Sequence, residues 1–401
     1  MSSKWRSERL AHLGSAIFAE VAAWKAEAQA AGRDVIDLGI GSPDRAPSER
    51  IRKALSREVL RPDRYAYPLS RGGAPFREQA AKWLHYRFGV SVDPYAELVV
   101  LMGSQDGLAH LALAVTNPGD AALVPNPGYP IYAAGLAAAG VEPIYMPLRE
   151  SNDFLPDLDA IPEADWRRAK FILLNFPGNP VSAVADLTFF EKLLSLAKRY
   201  DTLVVHDLAY SEMAFDGFRP PSILEAAGAK DIAVEFHSLS KSFNMAGCRI
   251  GFLAGNREAV GALRDLKANL DYGVFDAVQQ AGIVALQADM ERTEPPVSAV
   301  YERRRDVFVK TLREQGWKEV PKPKATMFIW APLPAALRSG GWSSRTFARE
   351  LLKTGGVALI PGDAFGSEGE GYVRIALVEE EERLIEAASR IGRFIEKEAL
   401  R

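Results

Sequence analysis

The sequence predicts an α/β fold: a mostly parallel sheet covered by helices on both faces, forming a large domain, followed by a smaller α+β domain. Three observations carry this. Aliphatic, often β-branched runs alternate with helical patterns between residues 98 and 270. A break at Glu294-Pro295-Pro296 ends that alternation. Beyond it, strand candidates and helices follow in a compact mixed order, with no internal repeat or low-complexity tract.

In chain order, a first helical pattern ends at Gly32, before Val35-Leu38, and residues 1–45 are expected to form an arm that packs with the second domain. The large domain is expected over 46–290. Within it Leu98-Met102 reads as a strand, and Gly103-Ser104-Gln105-Asp106-Gly107 opens a helix through Val115. Further strands are expected at Ala122-Val124, Phe171-Leu174, Leu203-His206, Ala233-Phe236 and Ile250-Ala254, with helices near 129–139, 186–200 and 256–270. The second domain, 291–401, starts with an amphipathic helix from about Ser298 to Gln315. Strands follow at Met327-Trp330, Val357-Ile360 and Tyr372-Ala376, and a helix from Glu380 to about Ala399 closes the chain.

Composition narrows the function. Forty-nine basic against 52 acidic residues give a net charge of -3, and Arg303-Arg304-Arg305 reads as a solvated helix face, so no nucleic-acid partner is expected. Cys248 is the only cysteine, which forbids an internal disulfide and suits a reducing, cytoplasmic setting. The N-terminal apolar run is broken by Glu20, Lys25 and Glu27, so neither a signal peptide nor a membrane span is expected. His12, His85, His110, His206 and His237 lack the paired spacing of zinc ligands, and no metal is expected. Gly39-Ile40-Gly41-Ser42-Pro43-Asp44 fails as a dinucleotide fingerprint for want of a third glycine, and the dipeptide Gly-Lys of a P-loop never occurs.

In sheets of this kind ligands bind beyond the carboxyl ends of the strands, and polar residues gather there: Ser104 and Gln105, Asn175, Asp207 and Ser238. Lys241 follows, among Ser238, Ser240 and Ser242, with Arg249 eight residues on. A lysine that forms a Schiff base needs partial burial and cationic neighbours that depress its pKa. The serines and the planar guanidinium suit a phosphate on the same cofactor. Asp207 could keep a pyridine nitrogen protonated, Tyr210 could donate to a ring oxygen, and Asn179 offers an amide in the turn Asn175-Phe176-Pro177-Gly178-Asn179-Pro180. Gly103-Ser104-Gln105 places free backbone N–H groups at a helix start, where an anion is favoured. Taken singly, Lys241 also reads as a surface lysine, Asp207 as a turn cap and Ser104 as an N-cap. Together the residues point to pyridoxal phosphate.

So assembled, the chain resembles the class I/II aminotransferases, the fold-type I pyridoxal-phosphate enzymes, from Gly41 to Arg374. The ordered set Asp207-Leu-Ala-Tyr210, Lys241 and Arg249 is its most specific part. The resemblance implies a seven-stranded, mostly parallel sheet and transamination between an L-amino acid and a 2-oxo acid by a ping-pong mechanism. It implies that Lys241 forms the internal aldimine and shuttles the substrate proton, that Asp207 pairs with the ring nitrogen, and that Tyr210 and Asn179 bind the ring oxygen. Tyr129 is implied to stack on the ring, and Ser104, Gln105, Ser238, Ser240 and Arg249 to contact the phosphate. Arg374 is implied to fork onto the substrate α-carboxylate, with a backbone contact from Gly41, and Tyr67 to reach the partner's site in a homodimer. The stretches Val234–Lys241, Asn244–Gly247 and Gly273–Gln280 look most like the subgroup of LL-diaminopimelate, alanine and bacilysin-pathway aromatic aminotransferases. Val181-Ser182, Gly178, Cys248 and Ala325-Thr326 depart from the usual pattern and bear on pocket shape. The alternative within the fold is a C–S β-lyase, which starts from the same aldimine.

Overall fold

In the computed structural model, which describes Trp5, Ser7 and residues 16–399, twelve strands form three sheets. His12 and the start of the expected N-terminal arm lie outside the described residues. The strands are β1 (Ile36–Asp37), β2 (Leu98–Leu101), β3 (Ala121–Asn126), β4 (Glu142–Pro147), β5 (Ala169–Leu174), β6 (Leu203–Asp207), β7 (Ala233–Ser238), β8 (Gly251–Gly255), β9 (Phe328–Pro332), β10 (Val357–Ala358), β11 (Ile360–Pro361) and β12 (Tyr372–Ala376). Seven of them make the large sheet in the order β2-β8-β7-β6-β5-β3-β4. Only β8 runs against its neighbours.

Pleating explains why these apolar runs need helices on both sides. In β2, Leu98 and Val100 join the layer under helices Ala74–Phe88 and Asp276–Glu291, while Val99 and Leu101 join the layer under Ser104–Val115, Ile131–Ala139 and Arg257–Lys267. Helices begin where caps are encoded: Asp186 accepts from the Phe189 N–H at 2.8 Å, and Asn256 from those of Glu258 and Ala259. Strand β3 runs to Asn126 because Pro125 and Asn126 pair with Met146 and Pro147 of β4. That edge strand has no sequence signature, since it carries two prolines and is mostly solvated.

Beyond residue 290, β9, β11 and β12 form an antiparallel sheet that shares an apolar core with helices Ser298–Glu314, Ser344–Gly355 and Glu381–Ala399. The strand expected over 357–360 divides at Leu359: β10 pairs in parallel with β1, and β11 pairs with β12. The arginine cluster needs a correction. Arg304 and Arg305 are fully buried rather than solvated, because distant segments supply their carboxylates: Asp44 to Arg304 at 2.8 and 2.9 Å, and Asp216 to Arg305 at 2.7 and 3.0 Å. No helix among the described residues is long and apolar enough to cross a membrane.

Candidate active site

A cavity of about 540 Å³ opens at the carboxyl ends of β2, β5, β6 and β7 and is roofed by Gly39, Gly41, Ser42 and Arg374. Every site residue expected from the sequence lines it except Tyr67. Tyr67 is 88% exposed, its ring centroid 5.6 Å from that of Tyr272.

Lys241 lies in the short helix Leu239–Ser242, whose Ser238 cap accepts from the Ser240 N–H at 3.2 Å. The Lys241 Nζ donates to the carbonyl of Gly41 at 2.9 Å. Burial, with Arg374 and Arg249 adding to it, lowers the pKa of this amine to about 8. Arg249 approaches from the start of β8. At Gly103, φ is +77° and an added Cβ would stand 2.7 Å from the Arg249 guanidinium, so only glycine lets the turn into helix Ser104–Val115 meet that arginine. Ser104 is the first residue of this helix, not its cap, and Gln105 accepts from the Tyr129 hydroxyl at 2.9 Å.

Asp207, buried at the end of β6, forms the floor. Its Oδ1 accepts from the Ala209 N–H at 3.2 Å, as a turn cap does, and its Oδ2 accepts from the Tyr132 hydroxyl at 2.9 Å. Burial pushes the Asp207 carboxyl up despite the Tyr132 bond, and among the described residues no lysine or arginine pairs with it. Asn175 holds the neighbouring turn, donating to the Asp207 carbonyl at 2.6 Å and accepting from the Asn179 N–H at 2.8 Å. Beneath, the buried His206 ring bridges Glu235 at 2.8 Å and the Phe176 carbonyl at 3.0 Å. Burial also pushes the Tyr210 phenol far up.

In the roof, Arg374 donates to Asn179 Oδ1 and to the Gly39 carbonyl, both at 2.9 Å, with its guanidinium over Phe328 at 4.4 Å and Phe365 at 4.9 Å. Its Nε is buried without a partner among the described residues, and burial lowers its pKa to about 10. Tyr132 and Phe18 also line the cavity and were missed in the sequence. Tyr132 had a signal, since it follows Tyr129 by three residues at a helix start and so shares its side.

This donor set can hold an anion between the Gly103 turn and Arg249, a ring with a basic nitrogen over Asp207, and a carboxylate at Arg374. A phosphorylated pyridine aldehyde fits it: the buried, unpaired Asp207 matches a cationic ring nitrogen, and the depressed amine of Lys241 matches an aldehyde. Fold and site together define an aminotransferase architecture. Residues 33–391 match the family model for aminotransferase class I and II, and the chain belongs to that family.

Relatives along the whole length agree. The chain is 44% identical over 391 residues to the LL-diaminopimelate aminotransferase of Moorella thermoacetica, covering 98% of each, and 46% identical over 385 residues to that of Desulforudis audaxviator, covering 96% of each. Among solved structures, substrate-bound BacF from Bacillus subtilis superposes with a TM-score of 0.88 at 36% identity over 94% of each chain. A probable N-succinyldiaminopimelate aminotransferase from Thermus thermophilus gives 0.87 at 40% identity, over 94% of this chain and 100% of the other. The chain is a transaminase of the pyridoxal-phosphate-dependent family.

Proposed function

We propose that the chain holds pyridoxal phosphate covalently at Lys241 Nζ and transaminates LL-diaminopimelate. The observation that carries this reading is the depressed Lys241 amine set between the buried Asp207 and Arg374 in one cavity. The two relatives named above, both LL-diaminopimelate aminotransferases, support the donor.

When bound, the cofactor supplies an electron sink for the pair left at the substrate Cα. Each residue then has a task. Asp207 would keep a proton on the ring nitrogen, and Tyr210 and Asn179 would hydrogen-bond the ring oxygen. Ser104, Gln105, Ser238, Ser240 and Arg249 would hold the phosphate, and Tyr129 would pack against the ring. Arg374 forks onto the α-carboxylate of the substrate, exchanging its present neutral acceptors for an anion, with Gly41 beside it. That contact would set the Cα–H bond toward Lys241, whose amine would take the proton from Cα as the general base and hold it for return to the substrate–cofactor carbon skeleton. In this reading the enzyme is a cytoplasmic homodimer, with Tyr67 of each subunit reaching the phosphate of the other.

Borohydride reduction of the holoenzyme followed by peptide mapping is expected to tag Lys241, and a spectroscopic half-reaction screen to select LL-diaminopimelate among amino donors. A tag on another lysine overturns the anchor. Preference for an unrelated amino acid overturns the donor, and release of pyruvate from a thioether amino acid would mark elimination instead.

A further inference from the structure

Asp106, His110 and Asp271 bring ligand atoms within 4.8 Å of one another, an arrangement that suits a cation, and the chain supplies its own. Lys267, fully buried, puts Nζ 2.5 Å from Asp106 Oδ2 and 2.6 Å from Asp271 Oδ2. Each carboxylate in turn fixes a different loop. Asp106 accepts from the Met102 N–H and meets His110 Nδ1, both at 2.9 Å, which pins the turn that brings Gly103 against Arg249. Asp271 accepts from the Gly273 N–H at 2.9 Å, which pins the turn where Tyr272 sits at φ +59° with its ring against Tyr67. On that second loop Leu270 and Tyr272 are 51% and 56% exposed. Neither carboxylate can swing away without taking from a buried ammonium one of its two ionic partners.

We infer that Lys267 is a positioning residue that couples cofactor retention to subunit pairing, because one ammonium holds both the phosphate-side turn and the loop of the exposed Tyr67–Tyr272 face. The inference rests on the homodimer reading above. Linkage makes the coupling reciprocal: whatever factor the cofactor adds to subunit affinity, pairing adds to cofactor affinity.

Sedimentation of apo- and holoenzyme over a dilution series measures the subunit dissociation constant in each state. For the wild type, removal of pyridoxal phosphate is expected to weaken pairing on the order of tenfold. Lys267→Met, and the milder Asp271→Asn at the more exposed end, are expected to lower that apo-to-holo ratio several-fold, toward what the direct contact of Tyr67 with the phosphate sustains alone. A general structural loss would weaken both states and leave the ratio standing. If Lys267→Met fails to fold, Asp271→Asn decides alone. A dimeric Asp271→Asn variant that keeps the wild-type ratio overturns the coupling and spares the homodimer. A wild type that stays monomeric at every concentration, with or without cofactor, overturns both.

Discussion

Asp207 on the floor of the cavity and Arg374 in its roof are both buried charges, and they differ in what surrounds them. Asp207 ends a strand of the large sheet and, among the described residues, receives neutral donors, the Tyr132 hydroxyl and the Ala209 N–H, so burial raises its carboxyl. Arg374 lies on β12 of the smaller sheet and rests on neutral acceptors, the Asn179 amide and the Gly39 carbonyl, between two aromatic rings. The floor charge lacks a cation that a ligand must bring and keep. The roof charge is parked on neutral partners, which in the proposed reading a substrate anion displaces at each turnover. In the proposed reading, a resident cofactor and a transient substrate are thus matched to two kinds of burial.

The largest effect that would break this comparison is at the floor. Asp207→Ala is expected to lower turnover on the order of a thousandfold while cofactor affinity falls far less, since the phosphate contacts remain. Turnover within about tenfold of wild type would remove the floor's electrostatic role. Arg374→Lys should cost on the order of a hundredfold, because a point charge cannot reproduce two parallel bonds that orient the carboxylate. Since every donor and acceptor carries an α-carboxylate, the loss should be uniform across substrates; a loss confined to dicarboxylic substrates would place Arg374 on a side chain instead. The smallest effect sharpens the picture of the floor. Tyr132→Phe removes the bond that partly offsets burial at Asp207, so turnover should fall about tenfold, as for one hydrogen bond to a charged group. The sign is fixed: the Asp207 carboxyl rises further, and the acid limb of the pH–rate profile moves to higher pH. An unmoved limb would show that Tyr132 only fills space.

The same division marks what was legible in the sequence. Floor elements could be read because β5 and β6 are buried, largely aliphatic runs whose polar residues fall near their ends, although β7 also carries the buried Glu235 at its centre. Lys241 and Asp207 stood out through local motifs, and the resemblance supplied their ordering. Strand β4 was invisible, since Glu142, Pro143 and Pro147 are edge residues that satisfy no propensity rule. Pattern alone could not tell that β8 is antiparallel, because alternation is the same in both directions. Long-range partners were equally hidden. Arg304 looked solvated because its carboxylate, Asp44, lies 260 residues away, and Tyr132 meets Asp207 across 75 residues. Nothing in a window of ordinary length reports such a pairing.

The reversed direction of β8 has a consequence for how the site is assembled. Lys241 follows β7 and Arg249 precedes β8, so a single chain reversal leaves both at the same rim, eight residues apart. A parallel successor would have needed a crossover of about a dozen residues or more and would have started from the opposite edge of the sheet. Closing so short a loop costs little chain entropy, because that cost grows with the logarithm of loop length. The contact between Arg374 and Gly39, in contrast, joins residues 335 positions apart. In terms of contact order, Lys241, the proposed anchor, and its neighbouring arginine form a local feature of the chain, whereas the roof around Arg374 waits on closure of nearly the entire polypeptide.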